Sequence, residues 1–133
     1  MSKVVSISEA ASIGLHGMIL IAREKEGMVN VLKIAERTGS SKHHVAKVFQ
    51  RLVKDGFLIS HRGPTGGFTL KIPPEEITFL DIYQAIEGEI EITKCPLDHQ
   101  ICPFDKCIIN NVARKMTIQF RDYMKEQKIS DYI

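Results

Sequence analysis

The residues best suited to chemistry in this sequence are three cysteines in its last third. Cys95, Cys102 and Cys107 have six and four residues between them, and the chain has no other cysteine. Because an odd number of cysteines cannot pair completely, a disulfide framework is not expected. Thiolates are soft ligands for iron–sulfur clusters and for zinc, so the spacing indicates cluster, metal or thiol redox chemistry.

A histidine in the same segment leaves the kind of site open. His99 lies between Cys95 and Cys102, and with Cys107 these residues have the Cys₃His composition of a closed zinc site. A metal-free thiol sensor would need only the cysteines. We also expect Cys107 to fall in the first turn of the last helix, where the helix dipole favours a thiolate. Spacing alone does not separate these three alternatives.

A second chemical feature is the uneven charge of the chain. The net charge is +2 over 133 residues. Residues 30–71 carry eight basic and two acidic side chains, a balance of +6, whereas residues 72–133 carry seven basic and eleven acidic ones, a balance of −4. A basic central segment in an otherwise neutral or acidic chain indicates a module that binds a polyanion.

The sequence predicts one helix before this basic segment and a second helix at its start. Apolar residues recur at spacings of three and four from about residue 6 to residue 25, which predicts an amphipathic first helix. Asn30 can cap a second helix, which Thr38-Gly39 ends. The second helix is short and is joined to the next periodic segment by a tight glycine-containing turn.

The third helix has the clearest periodicity. Ser40 or Ser41 can cap it, and Asp55-Gly56 stops it. Its outer face is basic and polar, and comprises Lys42, His43, His44, Ala46, Lys47, Gln50, Arg51 and Lys54. Two short helices with a basic face on the second are typical of a helix-turn-helix that binds double-stranded DNA.

A hairpin with a cationic tip follows the third helix. Residues 57–61 read as one strand, and Phe68, Leu70 and Ile72 alternate with polar residues in a second. The turn between them, Arg62-Gly63-Pro64-Thr65-Gly66-Gly67, is rich in glycine. An arginine on such a tip can enter a minor groove, so the hairpin is interpreted as the wing of a winged helix-turn-helix.

The C-terminal part predicts two more helices. Thr78 and Asp81 predict a capping box for a fourth helix, which Gly88 ends. A last helix is expected from about Lys106 to Lys125, and its apolar stripe comprises Ile109, Val112, Met116, Gln119 and Tyr123, widened by Phe120 and Met124. Since little chain remains to cover this stripe, it predicts a homodimer interface. Packing against its own domain is the alternative.

The predicted fold is mainly α with a small β wing. We expect a winged helix-turn-helix domain at residues 1–88, a cysteine sensor loop at 89–107, and a dimerisation helix with its tail at 108–133. The longest apolar run is too short to span a bilayer and the N-terminus lacks the pattern of a secretory signal, so we expect a cytoplasmic protein with no membrane partner. No nucleotide loop, nucleophile elbow or paired carboxylate motif favours an enzyme.

At residues 41–88 the sequence resembles the Rrf2 family of winged-helix transcription regulators, the group that includes IscR, NsrR and CymR. The residues that carry the resemblance are Leu52-Val53-Lys54-Asp55-Gly56-Phe57-Leu58, Arg62-Gly63-Pro64-Thr65-Gly66-Gly67-Phe68, Ile77-Thr78 and Ala85-Ile86-Glu87-Gly88. The resemblance implies a homodimer that binds a palindromic operator, with the third helix in the major groove and the wing in the minor groove.

The resemblance also implies individual DNA contacts. Six residues match positions that touch DNA in relatives, namely Ser41, His43, Lys47, Arg62, Gly63 and Pro64. One departure concerns operator preference, because this chain has Ala46 where IscR-like members have a glutamate that screens base identity. By chemistry alone, Lys47 and Arg62 are the residues best suited to contact DNA.

For the cysteines, the resemblance implies a [2Fe–2S] or [4Fe–4S] cluster held by Cys95, Cys102 and Cys107, although relatives space these cysteines more evenly. A further ligand can come from the first helix of the partner subunit, at the positions of Ser12 or His16. We favour His16 as this ligand, and Glu9 on the same helical face is an alternative. If His16 binds no metal, it would be an interfacial histidine hydrogen-bonded to a backbone carbonyl. A regulator without a cluster would use zinc, thiol oxidation or a regulatory partner protein as its signal.

Overall fold

A computed structural model describes residues 2–92, 102–109 and 111–133. It confirms a mainly helical fold with a two-stranded antiparallel hairpin. The elements in chain order are α1 (Glu9–Arg23), α2 (Val31–Thr38), α3 (Lys42–Lys54), β1 (Leu58–His61), β2 (Gly67–Leu70), a 3₁₀ turn (Pro74–Glu76), α4 (Phe79–Glu87), α5 (Val112–Glu126) and a second 3₁₀ turn (Ile129–Tyr132).

The helix starts follow the capping residues in the sequence. Asn30 Oδ1 accepts a hydrogen bond from the Lys33 amide at 2.8 Å, and Ser41 Oγ accepts one from His44 at 3.2 Å. Thr78 forms a capping box with Asp81. Each such bond satisfies one of the amides that a helix leaves unpaired at its N-terminus, so local sequence fixes where these helices begin.

Close packing of α1 against α3 holds the basic helix in place. Gly17 lies against the ring of Phe49, and a Cβ added at Gly17 would come within 2.8 Å of Phe49 Cε2. Phe49 is fully buried. Gly14 is similarly close to Ile86 of α4. The absence of side chains at two positions of α1 therefore permits α3 and α4 to approach its backbone.

The wing is attached to the helical core at its base. The strands pair in the register Leu58↔Leu70 to His61↔Gly67. An isolated bridge joins Phe68 to Val29, which precedes α2, with Phe68 N donating to Val29 O at 2.8 Å. The Phe68 ring packs against Phe49, with ring centroids 5.4 Å apart. These contacts fix the hairpin relative to both α2 and α3.

The last helix begins later than the sequence predicts. We expected it to start near Lys106, but α5 starts at Val112. Asn111, immediately before it, has a φ of 57°, a left-handed conformation that interrupts a continuous helix and that asparagine adopts more readily than most residues. Cys107 therefore lies outside the helix, and the expectation that the α5 dipole stabilises its thiolate is wrong.

The C-terminus folds back on the winged domain. Ile129 is fully buried, and its amide donates to Ile77 O at 3.0 Å. Met124 is buried, and Phe120 packs edge-on against Tyr83 with centroids 5.2 Å apart. Met124 thus contributes to the core of its own chain, as in the alternative that the helix packs against its own domain, whereas Phe120 also lines a groove with Met116 and Tyr123. Among the residues described, no helix is long and apolar enough to cross a membrane.

Candidate nucleic-acid interface and cysteine segment

The outer face of α3 is exposed and cationic. Its exposed residues are Lys42, His43, Lys47, Gln50, Arg51 and Lys54. Arg51 forms an ion pair with Asp55 at 3.4 Å, whereas Lys47 has no ion-pair partner within the described part of the chain. Ser41 is exposed at the N-terminus of the helix, where its oxygen caps the first turn. This helical face is available to a polyanion along its whole length.

The wing tip presents a second exposed cation. Arg62, Gly63 and Pro64 are all exposed, and Gly63 has a φ of 109°, which residues with a side chain rarely adopt. The Gly66 amide donates to Gly63 O at 3.0 Å and closes the turn. The tip therefore projects Arg62 from a tight turn whose backbone is open on its outer side.

A shallow cleft connects the wing to α3. It has a volume of about 190 Å³ and is lined by Ala46 and Gln50 of α3, Ser60 of β1 and Val31 of α2. A larger cleft of about 330 Å³ lies between the start of α2 and Gly63 and Pro64 of the wing. The base of the wing therefore adjoins the outer part of α3.

Sequence reasoning missed a contact between α1 and the basic helix. Glu9 Oε1 lies 3.2 Å from His44 Nδ1, so the first turn of α1 meets the first turn of α3. The two residues are far apart in the chain, and no periodicity or local motif indicates such a pair. The contact means that Glu9, the alternative metal ligand, already has a partner within its own chain.

Replacing Gly66 by alanine tests whether stability and DNA binding depend on the tight turn at the wing tip. A Cβ at Gly66 would overlap the carbonyl oxygen of His61 and lie 3.0 Å from Gly63 O. We expect Gly66→Ala to lower the free energy of unfolding by about 1–3 kcal/mol, as overpacking does, and to weaken DNA binding by displacing Arg62. Urea denaturation and fluorescence anisotropy with labelled DNA measure the two effects.

The matched control is Gly27→Ala, because a Cβ at Gly27 meets nothing within 4 Å. If Gly66→Ala keeps both the stability and the DNA affinity of the wild type, the turn does not require a glycine at position 66.

The cysteine segment is described only in part. Cys102 is exposed and Cys107 is half-buried, whereas Cys95 and His99 lie outside the described residues. In the part of the chain that the structure describes, no group of three or more histidine, cysteine, aspartate or glutamate residues is arranged to hold a metal. The structure therefore places two of the three predicted cysteine ligands and leaves the complete set as a prediction.

His16 has a geometry that suits a ligand supplied to another subunit. Its side chain is exposed, and Nδ1 lies 2.7 Å from Ser12 O. Donation from Nδ1 to a carbonyl leaves the Nε2 lone pair directed elsewhere, which is the arrangement common among metal-binding histidines. Ser12 is half-buried and its hydroxyl lies 3.3 Å from the same ring nitrogen. The donor set of three thiols and one imidazole thus fits a cluster or zinc.

Comparison with known proteins adds a family and a function. The family model described as "Rrf2: Iron-dependent Transcriptional regulator" matches residues 7–133. A putative HTH-type transcriptional regulator of Aquifex aeolicus is 29% identical over 129 residues, covering 95% of this chain and 90% of the relative.

Two solved structures are similar over almost the whole chain. T. potens IscR is 26% identical with a TM-score of 0.75, covering 96% of this chain and 85% of the other. The oxidized form of Staphylococcus aureus CymR is 27% identical with a TM-score of 0.74, covering 96% and 94%. The predicted fold, the resemblance and the absence of an enzymatic function are all confirmed.

Proposed function

Because the chain belongs to the Rrf2 family of transcription regulators, which are not enzymes, we propose that it binds an operator as a homodimer and that a cysteine-held iron–sulfur cluster controls this binding. The observation that carries the DNA-binding part is the exposure of Lys47 and Arg62 on two adjoining elements. Neither has an ion-pair partner within the described residues, so both charges are free to meet phosphate or base edges. In this proposal α3 enters the major groove and the wing enters the minor groove.

An apolar face on α5 supports the homodimer. Val112, Met116 and Tyr123 are 45%, 37% and 50% exposed. Met116 and Tyr123 line a groove of about 670 Å³ together with Val4 and Ile7 of the N-terminal segment. A contiguous exposed apolar groove is typical of a protein interface, and a second copy of α5 has the apolar side chains to fill it. We therefore assign dimerisation to α5, with the N-terminal segment contributing.

The cluster part of the proposal assigns Cys95, Cys102 and Cys107 as ligands and His16 of the partner subunit as the further ligand. When bound, an iron–sulfur cluster would supply chemistry that responds to iron–sulfur status, nitric oxide or oxidants. The cysteines lie between the winged domain and α5 in the chain. Ligation would therefore act on the segment that joins the two, and a change in the distance between the two α3 helices would alter operator affinity.

Anaerobic reconstitution tests this proposal. With ferrous iron and sulfide, the wild-type protein should gain visible absorption and hold two or four iron ions with an equal number of sulfides per protomer. Cys102→Ser should lose both. His16→Ala should bleach faster in air, because the cluster loses a ligand, and His99→Ala should load like the wild type.

The control for folding is circular dichroism, in which Cys102→Ser should match the wild-type protein without a cluster. A colourless protein that holds zinc and loses it in His99→Ala would contradict the cluster and favour the Cys₃His site. A colourless protein without metal would leave thiol oxidation or a partner protein as the signal. If the protein is colourless and binds no metal, exposed Cys102 and the similarity to an oxidized form of CymR favour thiol oxidation as the signal.

A further inference from the structure

Gln50 carries an uncharged amide on the outer face of α3. It is exposed, and it follows Lys47 by three residues and precedes Lys54 by four. Residues three and four apart in a helix lie on the same face, so the amide has a lysine one turn away on either side. Its side chain makes no hydrogen bond within the described part of the chain. The amide is therefore available to a bound molecule and lies between two cations.

The other polar side chains of α3 are less suited to recognise a base. Arg51 forms an ion pair with a carboxylate four residues further on, and His44 contacts one at the start of α1. The exposed lysines are compact positive charges that suit phosphate oxygens, and phosphate contacts carry no sequence information directly. The two ring nitrogens of His43 point in different directions, so they cannot both bond the edge of one base. Among the residues of α3, all of which the structure describes, only Gln50 has a donor and an acceptor side by side.

The surroundings of Gln50 leave its amide accessible. With Ala46, one turn before it, Gln50 lines the shallow cleft of about 190 Å³ that also includes Ser60 of β1. Gln50 therefore lies on the side of α3 that adjoins the base of the wing. Because the side chain of Ala46 ends at its Cβ, it does not extend over the amide. A base edge that meets the outer face of α3 can therefore reach Gln50.

The major groove of DNA offers this amide one matched partner. Adenine presents the N7 acceptor beside the N6 donor, and the NH₂ and the oxygen of a glutamine amide can bond both. Guanine presents two acceptors there, so the amide oxygen would face O6 without a donor, which costs free energy once water is excluded. Cytosine and thymine each present a single polar group. A glutamine in this position therefore favours adenine over the other three bases.

We propose that Gln50 contacts and selects an adenine in each half-site of the operator, while Lys47 and Lys54 hold α3 in the groove through phosphates. This inference rests on the proposed binding of α3 in the major groove, and it names the base that the helix selects. Gln50 is not among the six residues that match DNA contacts in relatives. Because its side chain is uncharged, it contributes to the choice of sequence and not to the salt dependence of binding.

Selection from a pool of random-sequence duplexes compares the wild-type protein with three variants. Gln50→Ala should enrich the wild-type palindrome with one A·T position in each half-site relaxed to all four base pairs, and its salt slope should be unchanged. Gln50→Glu should enrich cytosine at that position, because a carboxylate accepts from the N4 amino group and cannot donate to N7. The control is Lys54→Ala, which should bind all sequences more weakly and still select adenine. Both residues are exposed, so circular dichroism should show that each variant folds.

A base analogue identifies the contact itself. 7-Deazaadenine lacks the N7 acceptor and otherwise pairs like adenine. Placed at the selected position of one half-site, it should lower the affinity of the wild-type protein about tenfold. The affinity of Gln50→Ala should not change, because this variant has already lost the amide that bonds N7. Fluorescence anisotropy with the two labelled duplexes measures both affinities.

The outcomes distinguish this inference from the proposed function. If Gln50→Ala or Gln50→Glu still selects adenine, or if the analogue weakens wild type and Gln50→Ala equally, Gln50 does not select the base and operator binding stands. Loss of the adenine preference in Lys54→Ala would likewise contradict the division of roles between the amide and the lysines. A wild-type protein that enriches no palindrome would contradict the proposed operator binding, and this inference with it.

Discussion

Replacing Lys47 and Arg62 together by alanine is expected to weaken operator binding by about 10⁴-fold. A hydrogen bond to a charged group contributes about 1.5 kcal/mol or more, and a symmetric dimer loses four such contacts, which amounts to roughly 6 kcal/mol. The slope of log K against log salt should become less steep by about 0.9 for each phosphate contact that is lost. Fluorescence anisotropy across a salt series measures both quantities.

The control for this double variant is Lys25→Ala with Lys125→Ala. Both residues are exposed, and they lie outside α3 and the wing, so this variant removes the same formal charge from other surfaces. Its affinity should fall little and its salt slope should be unchanged. Equal losses in the two double variants would mean that general charge, and not the α3 and wing surface, determines binding.

A second large effect is expected from Gly17→Leu. The added side chain would overlap the ring of Phe49, which is fully buried and cannot move into solvent. We expect the free energy of unfolding to fall by about 3 kcal/mol, which is a large fraction of the stability of an ordinary domain. Because α1 supports α3, DNA binding should fall with folding. Urea denaturation measures the change.

A compensating substitution makes this prediction specific. Phe49→Ala removes the ring that Gly17→Leu would meet, so the double variant should be less destabilised than the sum of the two single variants. Gly27→Leu, at a position with nothing within 4 Å of a Cβ, should change stability by less than about 1 kcal/mol. Additive effects of Gly17→Leu and Phe49→Ala would contradict the packing that fixes α3 on α1.

Features that depend on neighbouring residues were predictable from the sequence. Asn30, Ser41 and Thr78 cap helices as expected, since a capping side chain bonds an amide two or three residues ahead. The wing followed from alternation and from the glycine-rich turn. The exposed faces of α3 and of the wing tip are likewise consequences of local periodicity, so the candidate DNA-binding residues lie where the sequence placed them.

Features that depend on distant contacts were not predictable. The apolar periodicity of the last helix extends back to Ile109, and nothing in it reveals that Asn111 adopts a positive φ and delays the helix to Val112. The docking of Ile129 against Ile77 involves a four-residue turn, which is too short to show a period. The Glu9–His44 contact joins two helices that only the tertiary fold brings together.

These distant contacts give α1 a central position in the molecule. It contacts the first turn of α3 through Glu9 and the middle of α3 through Gly17, and it presents His16 to solvent. A ligand bound by His16 would therefore act on the same rigid helix that supports the DNA-binding face. In our proposal this shared element connects the cysteine segment of one subunit to the recognition helix of the other.

Selection of binding sites from a pool of random-sequence duplexes tests the central claim most directly. A dimer that presents α3 and the wing twice should enrich a palindrome whose half-sites are separated by about one turn of DNA or a multiple of it. The protein with Lys47→Ala and Arg62→Ala should enrich nothing from the same pool. Recovery of unrelated sequences by the wild-type protein, or of the same palindrome by the double variant, would contradict the account.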